Sequence, residues 1–418
     1  MQEMKDSGIS WVGEIPKEWS VWRNKYIFKI TKDIVLPSKN YQLLSLTTTG
    51  IKEKDENDNG GKVPENYDGY QIVKENDLVM CLFDLDCSAV FSGLSPYNGM
   101  ISPAYKVLKV KKRIANEQYY RYWFNYVGSK RFYKQYSKSL RFTLNADEFN
   151  RLFSLLPPLA EQQRIAEFLD RECGKIDGVK ADIQAQIDTL EQYKRSVITE
   201  AVTHGLNPSA PMKDSGAGWM PLIPLHWKAD KLKFHLRQRG IKNQIDKQVL
   251  SLYREYGIVP KDSRDDNHNV TSEDVSDYRY VRVGDFVVNK MKAWQGSVAV
   301  SNYEGIVSPA YFVYEFSDDL INKRYFHYLM RNKTYATEFR RLSGGIREGQ
   351  WDLPSEALNN TIILLPPLDE QQEIADYLDN KCAEIEQIIA DKKSQIETLD
   401  GYKKSLIYEY VTGKKEVG

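Results

Sequence analysis

Between Phe286 and Gly296 the sequence reads FVVNKMKAWQG, which brings two cations (Lys290 and Lys292), an indole (Trp294) and an amide (Gln295) together. Earlier in the chain, after a similar apolar run, the corresponding place reads LFDLDCS (Leu82–Ser88). Acidic and cationic chemistry thus occupy one position on two related scaffolds, as a contact loop tuned to two different targets would. Asp84 and Asp86 could form a paired-carboxylate metal site, but Lys292 and Trp294 stand opposite them, so no metal role is expected. Bond-making chemistry finds no foothold elsewhere. The two LLPPL stretches lack the Asn or Asp before Pro-Pro that an S-adenosylmethionine-dependent amino-methyltransferase needs to hold its target amine; Leu156 and Leu365 stand there instead. No GxxxxGK[ST] phosphate loop occurs, and five scattered histidines offer no HExxH spacing and no triad.

The chain of 418 residues is too long for one ordinary core, so two or more domains are expected. It is 41% hydrophobic and 28% charged, without an apolar run of membrane-spanning length or a signal-peptide pattern at its start, so cytoplasm is the expected compartment and no membrane partner is foreseen. The cysteines Cys81, Cys87, Cys173 and Cys382 form no CxxC pair and read as packing residues. A formal net charge of zero argues against indiscriminate coating of nucleic acid. Local charge differs: Met100–Arg151 carries twelve Lys/Arg against three Asp/Glu, and Asn322–Gln350 seven against two, so defined contact surfaces are expected there.

The elements that must position these residues are written twice. MKDSGISWVGEIPKEW (Met4–Trp19) returns as MKDSGAGWMPLIPLHW (Met212–Trp227), and Pro157–His204 aligns without a gap to Pro366–Gly413 with about half the positions identical. Between these anchors, Asn76-Asp77-Leu78-Val79 matches Gly284-Asp285-Phe286-Val287, ISPAYKV matches VSPAYFV, and Arg141 falls opposite Arg347. Each half is a lead-in motif, a divergent block and a shared C-terminal segment.

That shared segment predicts a helix. Leu169, Ile176, Ile183, Leu190 and Val197 recur every seven residues, as do Leu378, Ile385, Leu399 and Leu406, with Lys392 interrupting the second series. Ile165, Val179 and Ile187 fill the alternate positions of a seam suited to a helix pair. Pro157-Pro158 end the preceding strand, Glu161 suits the N-terminal dipole, and Gly205 and Gly413 sit where C-terminal caps belong. Each helix of roughly 45 residues would be about 65–70 Å long. A parallel pair would force the linker after Gly205, about 20 residues, to run back almost fully extended. The expectation is therefore an antiparallel coiled coil with a globular block at each end, related by a pseudo-twofold axis.

The blocks mix short strands with helical, aromatic-rich segments, which gives an α+β class. Tyr280–Met291 alternates like one strand, and IVSPAYFVYEF follows as another. Tyr119, Tyr122, Trp123, Tyr126, Phe132 and Tyr136 could stack on bases, but matched positions in the second half favour a core stripe. The expected order is residues 1–20, lead-in motif packed near the end of the second helix; 21–155, first block; 156–206, first helix; 207–227, linker with the repeated motif; 228–364, second block; 365–413, second helix; and 414–418, tail.

LPPLAEQQRIAEFLD and LPPLDEQQEIADYLD, the tails YKRSVITEAVTHG and YKKSLIYEYVTGK, GDFVVNKMKAWQG followed by GIVSPAY, and the motifs GEIPKEW and IPLHW together resemble the specificity subunit of Type I restriction-modification enzymes over essentially the whole chain. Block one departs from the family's cationic KMKAWQG loop. The resemblance implies that each block is a target recognition domain reading one half of a split double-stranded DNA sequence. The helix pair sets the spacer and docks two modification (methyltransferase) subunits and, with them, restriction (translocase and nuclease) subunits. It implies no catalysis and no cofactor in this chain; S-adenosylmethionine, ATP and Mg belong to the partners. Residues expected at DNA are Lys290, Lys292, Trp294, Gln295 and Arg347 in block two, and Lys138, Ser139 and Arg141 in block one. Competing readings are a single-chain DNA modification or nicking enzyme, and a coiled-coil adaptor that does not bind DNA.

Overall fold

The computed structural model describes residues 3–35, 41–54, 67, 69–254, 256–263, 271–345 and 351–417. It divides into two compact units, Met1–Ile183 with Ser394–Gly418, and Gln184–Lys393. Both are α+β, and each takes part of the long helix Leu159–His204 and part of the long helix Leu368–Val411.

In the first unit an antiparallel sheet runs in the order Phe28–Thr31, Lys106–Val110, Leu78–Met80, Ser92–Leu94. The second unit repeats it as Leu236–Arg239, Tyr311–Phe316, Phe286–Asn289, Val298–Val300. Leu78–Met80 and Phe286–Asn289 are buried on both faces, which fits the apolar runs Leu78-Val79-Met80 and Phe286-Val287-Val288 and departs from the alternation expected over Tyr280–Met291. The turn into each is built alike. Asn76 (φ 67°) and Gly284 (φ 87°) take the left-handed conformation. The next carboxylate accepts a backbone N–H three residues back, Lys74 to Asp77 (2.9 Å) and Arg282 to Asp285 (2.7 Å). Burial pushes both carboxyls up from the ordinary aspartate range. That turn also corrects the expectation of one strand over Tyr280–Met291: the chain forms Arg279–Val281, turns at Gly284, and starts again at Phe286.

A helix packs on each sheet, Glu117–Ser129 in one unit and Lys323–Arg331 followed by Lys333–Leu342 in the other. Tyr119, Tyr122, Trp123 and Tyr126 are buried in the first core, so they are packing residues; Phe132 is half-buried and Tyr136 is exposed. The Ser-Pro-Ala-Tyr stretches form matching turns, with Tyr105 N–H donating to Ser102 O and Tyr311 N–H to Ser308 O.

The shared motif L-P-P-L-x-E-Q-Q has a physical explanation in both units. Leu156 and Leu365 end strands paired with Ser20–Arg23 and Lys228–Lys231, and the long helices begin after the prolines. Gln162 is fully buried; its amide donates to Ile114 O (2.9 Å) and Pro157 O (2.8 Å) and accepts from Asn116 N–H (2.8 Å). Gln371 repeats all three bonds with Leu320 O, Pro366 O and Asn322 N–H. One amide thereby ties helix start, strand end and the N-cap of the packing helix together. Further along, Asp170 accepts from Tyr122 Oη (2.8 Å) and is reached by Arg121, while Asp379 accepts from Tyr328 Oη (2.8 Å) and is reached by Arg324.

Within each unit the two helices lie antiparallel. Asp177 meets Lys403 (2.7 Å) and Lys180 meets Asp400 in the first unit; Lys194 meets Glu386, and Lys392 meets Gln186 (2.5 Å), in the second. Rising numbers on one helix thus meet falling numbers on the other. Of the expected seam, Leu169, Ile176, Ile183, Leu378, Ile385 and Leu406 are buried, whereas Leu190, Val197 and Leu399 are half-buried. Val179 is 48% exposed and does not join the seam. Between Ile176 and Ile183, Lys180 is half-buried and its ammonium reaches Asp400 on the other helix. Gly205 (φ 78°) and Gly413 (φ 69°) follow the helix ends, and a Cβ on Gly413 would collide with Pro16. Cys173 and Cys382 are buried and unpaired.

Candidate nucleic-acid interface

In the second unit the segment after Phe286–Asn289 leaves the sheet and makes one tight turn, Ala293–Gln295, closed by Gly296 (φ 86°). Ala293 is buried and anchors the turn, so Lys292 and Gln295 face outward and are exposed. Trp294 is half-buried. Its Nε1–H donates to Met291 O (3.0 Å), and its ring meets Trp351 edge-on at 5.6 Å. The Arg340 guanidinium lies 5.7 Å from the Trp294 ring centre and 5.8 Å from that of Trp351, within cation–π range. Lys290 is held by its backbone, which accepts from Leu353 N–H (2.9 Å), and by its ammonium, which meets Asp352 Oδ2 at 3.0 Å. Lys290, Lys292, Trp294 and Gln295 therefore share one turn, joined by Arg340, Trp351 and Asp352, none of which was expected from the sequence. Arg340 lies in the basic zone Asn322–Gln350, which was the available signal. Arg347 falls outside the described residues.

The first unit uses the same two loops differently. Leu82 O accepts from Leu144 N–H (2.7 Å), as Lys290 O does from Leu353 N–H. Asp84 is engaged by Arg141 through two bonds, Nε to Oδ1 (3.1 Å) and Nη2 to Oδ2 (3.0 Å). Lys138 is exposed. Ser139 serves the loop itself: its Oγ accepts from Thr143 N–H (2.7 Å). Beside this loop lies an open hollow of about 430 Å³ whose rim includes Lys130, Arg131, Lys134 and Gln135. Lys138, Ser139 and Arg141 sit together on one braced loop.

This arrangement offers cations and amides on two firm platforms, with half-buried indoles added in the second unit. Among the described residues no cluster of three or more His, Cys, Asp or Glu is placed to hold a metal ion, and no helix is long and apolar enough to cross a membrane. Residues 241–398, which span the second unit's platform and much of the second long helix, match the family described as Type I restriction modification DNA specificity domain. The Type I restriction enzyme MjaVIII specificity subunit of Methanocaldococcus jannaschii is 26% identical over 370 residues, covering 83% of this chain and 80% of that one. Over most of its length the chain is thus similar to Type I restriction enzyme specificity subunits, and it carries a match to their DNA specificity domain. A second specificity subunit of the same organism, the putative MjaX one, is 22% identical over 97% of this chain and 96% of its own length. In fold, the chain is similar to one solved in work on complex assembly and conformational transition of the type I R-M system, with a TM-score of 0.68 at 14% identity over 96% of this chain and 99% of that one. In a chain similar to specificity subunits, the duplicated platform on a duplicated helix frame is the feature that bears on function.

Proposed function

We propose that each unit reads one half of a bipartite double-stranded DNA target through its platform loops, and that the helix pair common to both units sets the unspecified spacer. The observation that carries this reading is the contrast inside the repeat. Buried ties such as Gln162 and Gln371 are the same in both units, while side chains on the platforms, Lys138, Ser139 and Arg141 against Lys290, Lys292, Trp294 and Gln295, differ. Sequence is read at base edges mainly in the major groove, where arginine or lysine bridges guanine and asparagine or glutamine bridges adenine, so unequal loops imply unequal half-sites. Two modest readers held on one frame gain an effective concentration for the second contact.

On this reading the chain is non-catalytic and works with methyltransferase and restriction subunits that bring S-adenosylmethionine, ATP and Mg. Extrusion of the target base would fall to the methyltransferase partner while this chain holds register. A single-chain modifying enzyme and a DNA-free adaptor are not favoured by the match to a DNA specificity domain. The test is a map of methylated adenines in cells carrying this chain with its partner subunits. A split motif is expected, and lengthening both long helices by whole turns is expected to change its spacer without changing either half. An unsplit motif, or a spacer indifferent to helix length, overturns the reading.

A further inference from the structure

The Asp84–Arg141 pair carries more than loop bracing. An arginine guanidinium has two edges that can each grip a planar acceptor pair: the side edge of Nε–H and Nη2–H, and the end edge of Nη1–H and Nη2–H. Asp84 takes the side edge, with Oδ1 on Nε and Oδ2 on Nη2. The end edge is left over, and the Arg141 side chain is 79% exposed against 27% for Asp84, so the carboxylate lies inward and the remaining donors face outward. The grip is reinforced through the backbone. Asp84 N–H donates to Arg141 O and Leu85 N–H to Phe142 O, each at 3.2 Å, so the two loops are laced side by side around the ion pair. Both strands of that lacing hold an uncommon conformation, Asp84 at φ 50° and Phe142 at φ 44°. Strained backbone of this kind persists where surrounding contacts over-determine it. Arg141 is thus biased in direction before any ligand arrives, and part of the usual entropy loss on ordering a long side chain is already met.

A pre-aimed guanidinium end edge matches one base best. Guanine presents two acceptors, O6 and N7, side by side in the major groove, whereas adenine presents N7 next to a donor. Resting on the proposed reading of DNA by each unit, we infer that Arg141, held by Asp84 as a positioning residue, specifies a guanine in the half-site read by the first unit. Among the described residues of the second unit, the ion pair between these loops is Lys290 with Asp352, and an ammonium is a point charge without a second planar edge.

The experiment starts from the methylated-adenine map of cells carrying the full chain with its partner subunits, which gives the split motif. Duplexes with that motif are then bound by the assembled complex, with each guanine of the first unit's half-site replaced in turn by 7-deazaguanine, which lacks the N7 acceptor. At one position the wild-type complex is expected to lose about 2- to 10-fold in affinity, because one of the two bonds of a good bidentate base contact is removed. Arg141→Ala is expected to be insensitive to the replacement at that position and to accept other bases there. Asp84→Asn is expected to reduce discrimination at the same position alone, with the other positions of the half-site unchanged, a pattern that loop unfolding would not give. Arg141→Gln, tested in case the alanine variant fails to fold, is expected to retain binding but lose the preference for guanine, because a glutamine amide matches adenine instead. The inference is overturned if that half-site contains no guanine, if Arg141→Ala keeps full discrimination, or if it weakens all sequences alike with a shallower salt dependence, the mark of a phosphate contact. A complex with no sequence-selective binding at all would overturn the proposed function instead.

Discussion

The loop that follows the central strand carries the acid in one unit and the base in the other, yet both are closed by an ion pair to the same neighbouring loop. Asp84 meets Arg141 in the first unit; Lys290 meets Asp352 in the second. The two bridges start from different positions, however: Asp84 falls opposite Lys292, whereas Lys290 falls opposite Leu82. Each loop is tied to its neighbour by an ion pair of its own, and the charge reversal at Asp84 and Lys292 stands as a difference between the units. What the loops display separates the units further: a braced arginine end edge and Lys138 on one side, Lys292, Gln295 and a Trp294–Trp351 pair on the other. A duplicated scaffold can hold its loops in place by either polarity and still display different donors.

The largest expected effect tests the sameness of the frames. Gln162→Leu and Gln371→Leu each orphan a buried N–H and two carbonyls, and each is expected to cost about 2–4 kcal/mol, measured by denaturant unfolding of the full chain. Strongly unequal costs would show that the frames are not equivalent.

A pH effect should separate the units next. His327 accepts from Val300 N–H (3.3 Å), and burial, with Arg331 nearby, pushes its imidazole down to about 4. Because the unfolded imidazole binds its proton near pH 6.5, this contribution is full above that value and is lost as pH falls from about 6.5 to 4. The expected loss is on the order of 1–3 kcal/mol and falls on the second unit, and His327→Gln should flatten it. An unchanged pH profile in that variant would show that the histidine stays neutral for no energetic consequence.

On the platforms, Lys292→Ala is expected to weaken DNA binding by the assembled complex and to reduce the slope of log affinity against log salt by about 0.9, if the lysine meets one phosphate. The loss should be the same for all variants of the first unit's half-site. The smallest expected effect is the coupling between Asp84→Asn and Arg141→Gln in stability, about 0.2–1 kcal/mol, because the pair is largely solvent-facing. A coupling well above that range would make the pair a folding element more than a positioning one.

Much of the frame was legible because it is written twice: heptad spacing, proline-bounded helix starts and capping glycines survive in both copies. The antiparallel direction followed from chain connectivity, chiefly the short linker after Gly205. The local failures have physical causes. Val179 satisfies a heptad, but a helix of 3.6 residues per turn drifts, and it is the neighbouring Lys180 that is half-buried and pairs with the other helix. Tyr280–Met291 looks like one strand because its turn contains only Gly284 and a carboxylate that caps its own backbone. Loop partners were the least legible: Asp84 and Arg141 are 57 residues apart, and Lys290 and Asp352 are 62 apart, with no pattern in sequence to join them.

The division of labour between the units is tested most directly by exchanging the first unit's block, residues 21–155, for that of a specificity subunit and mapping methylated adenines in cells. One half of the split motif should change while the other half and the spacer stay as they were. A motif that stays intact, or that changes in both halves, would contradict the reading of one half-site by each unit.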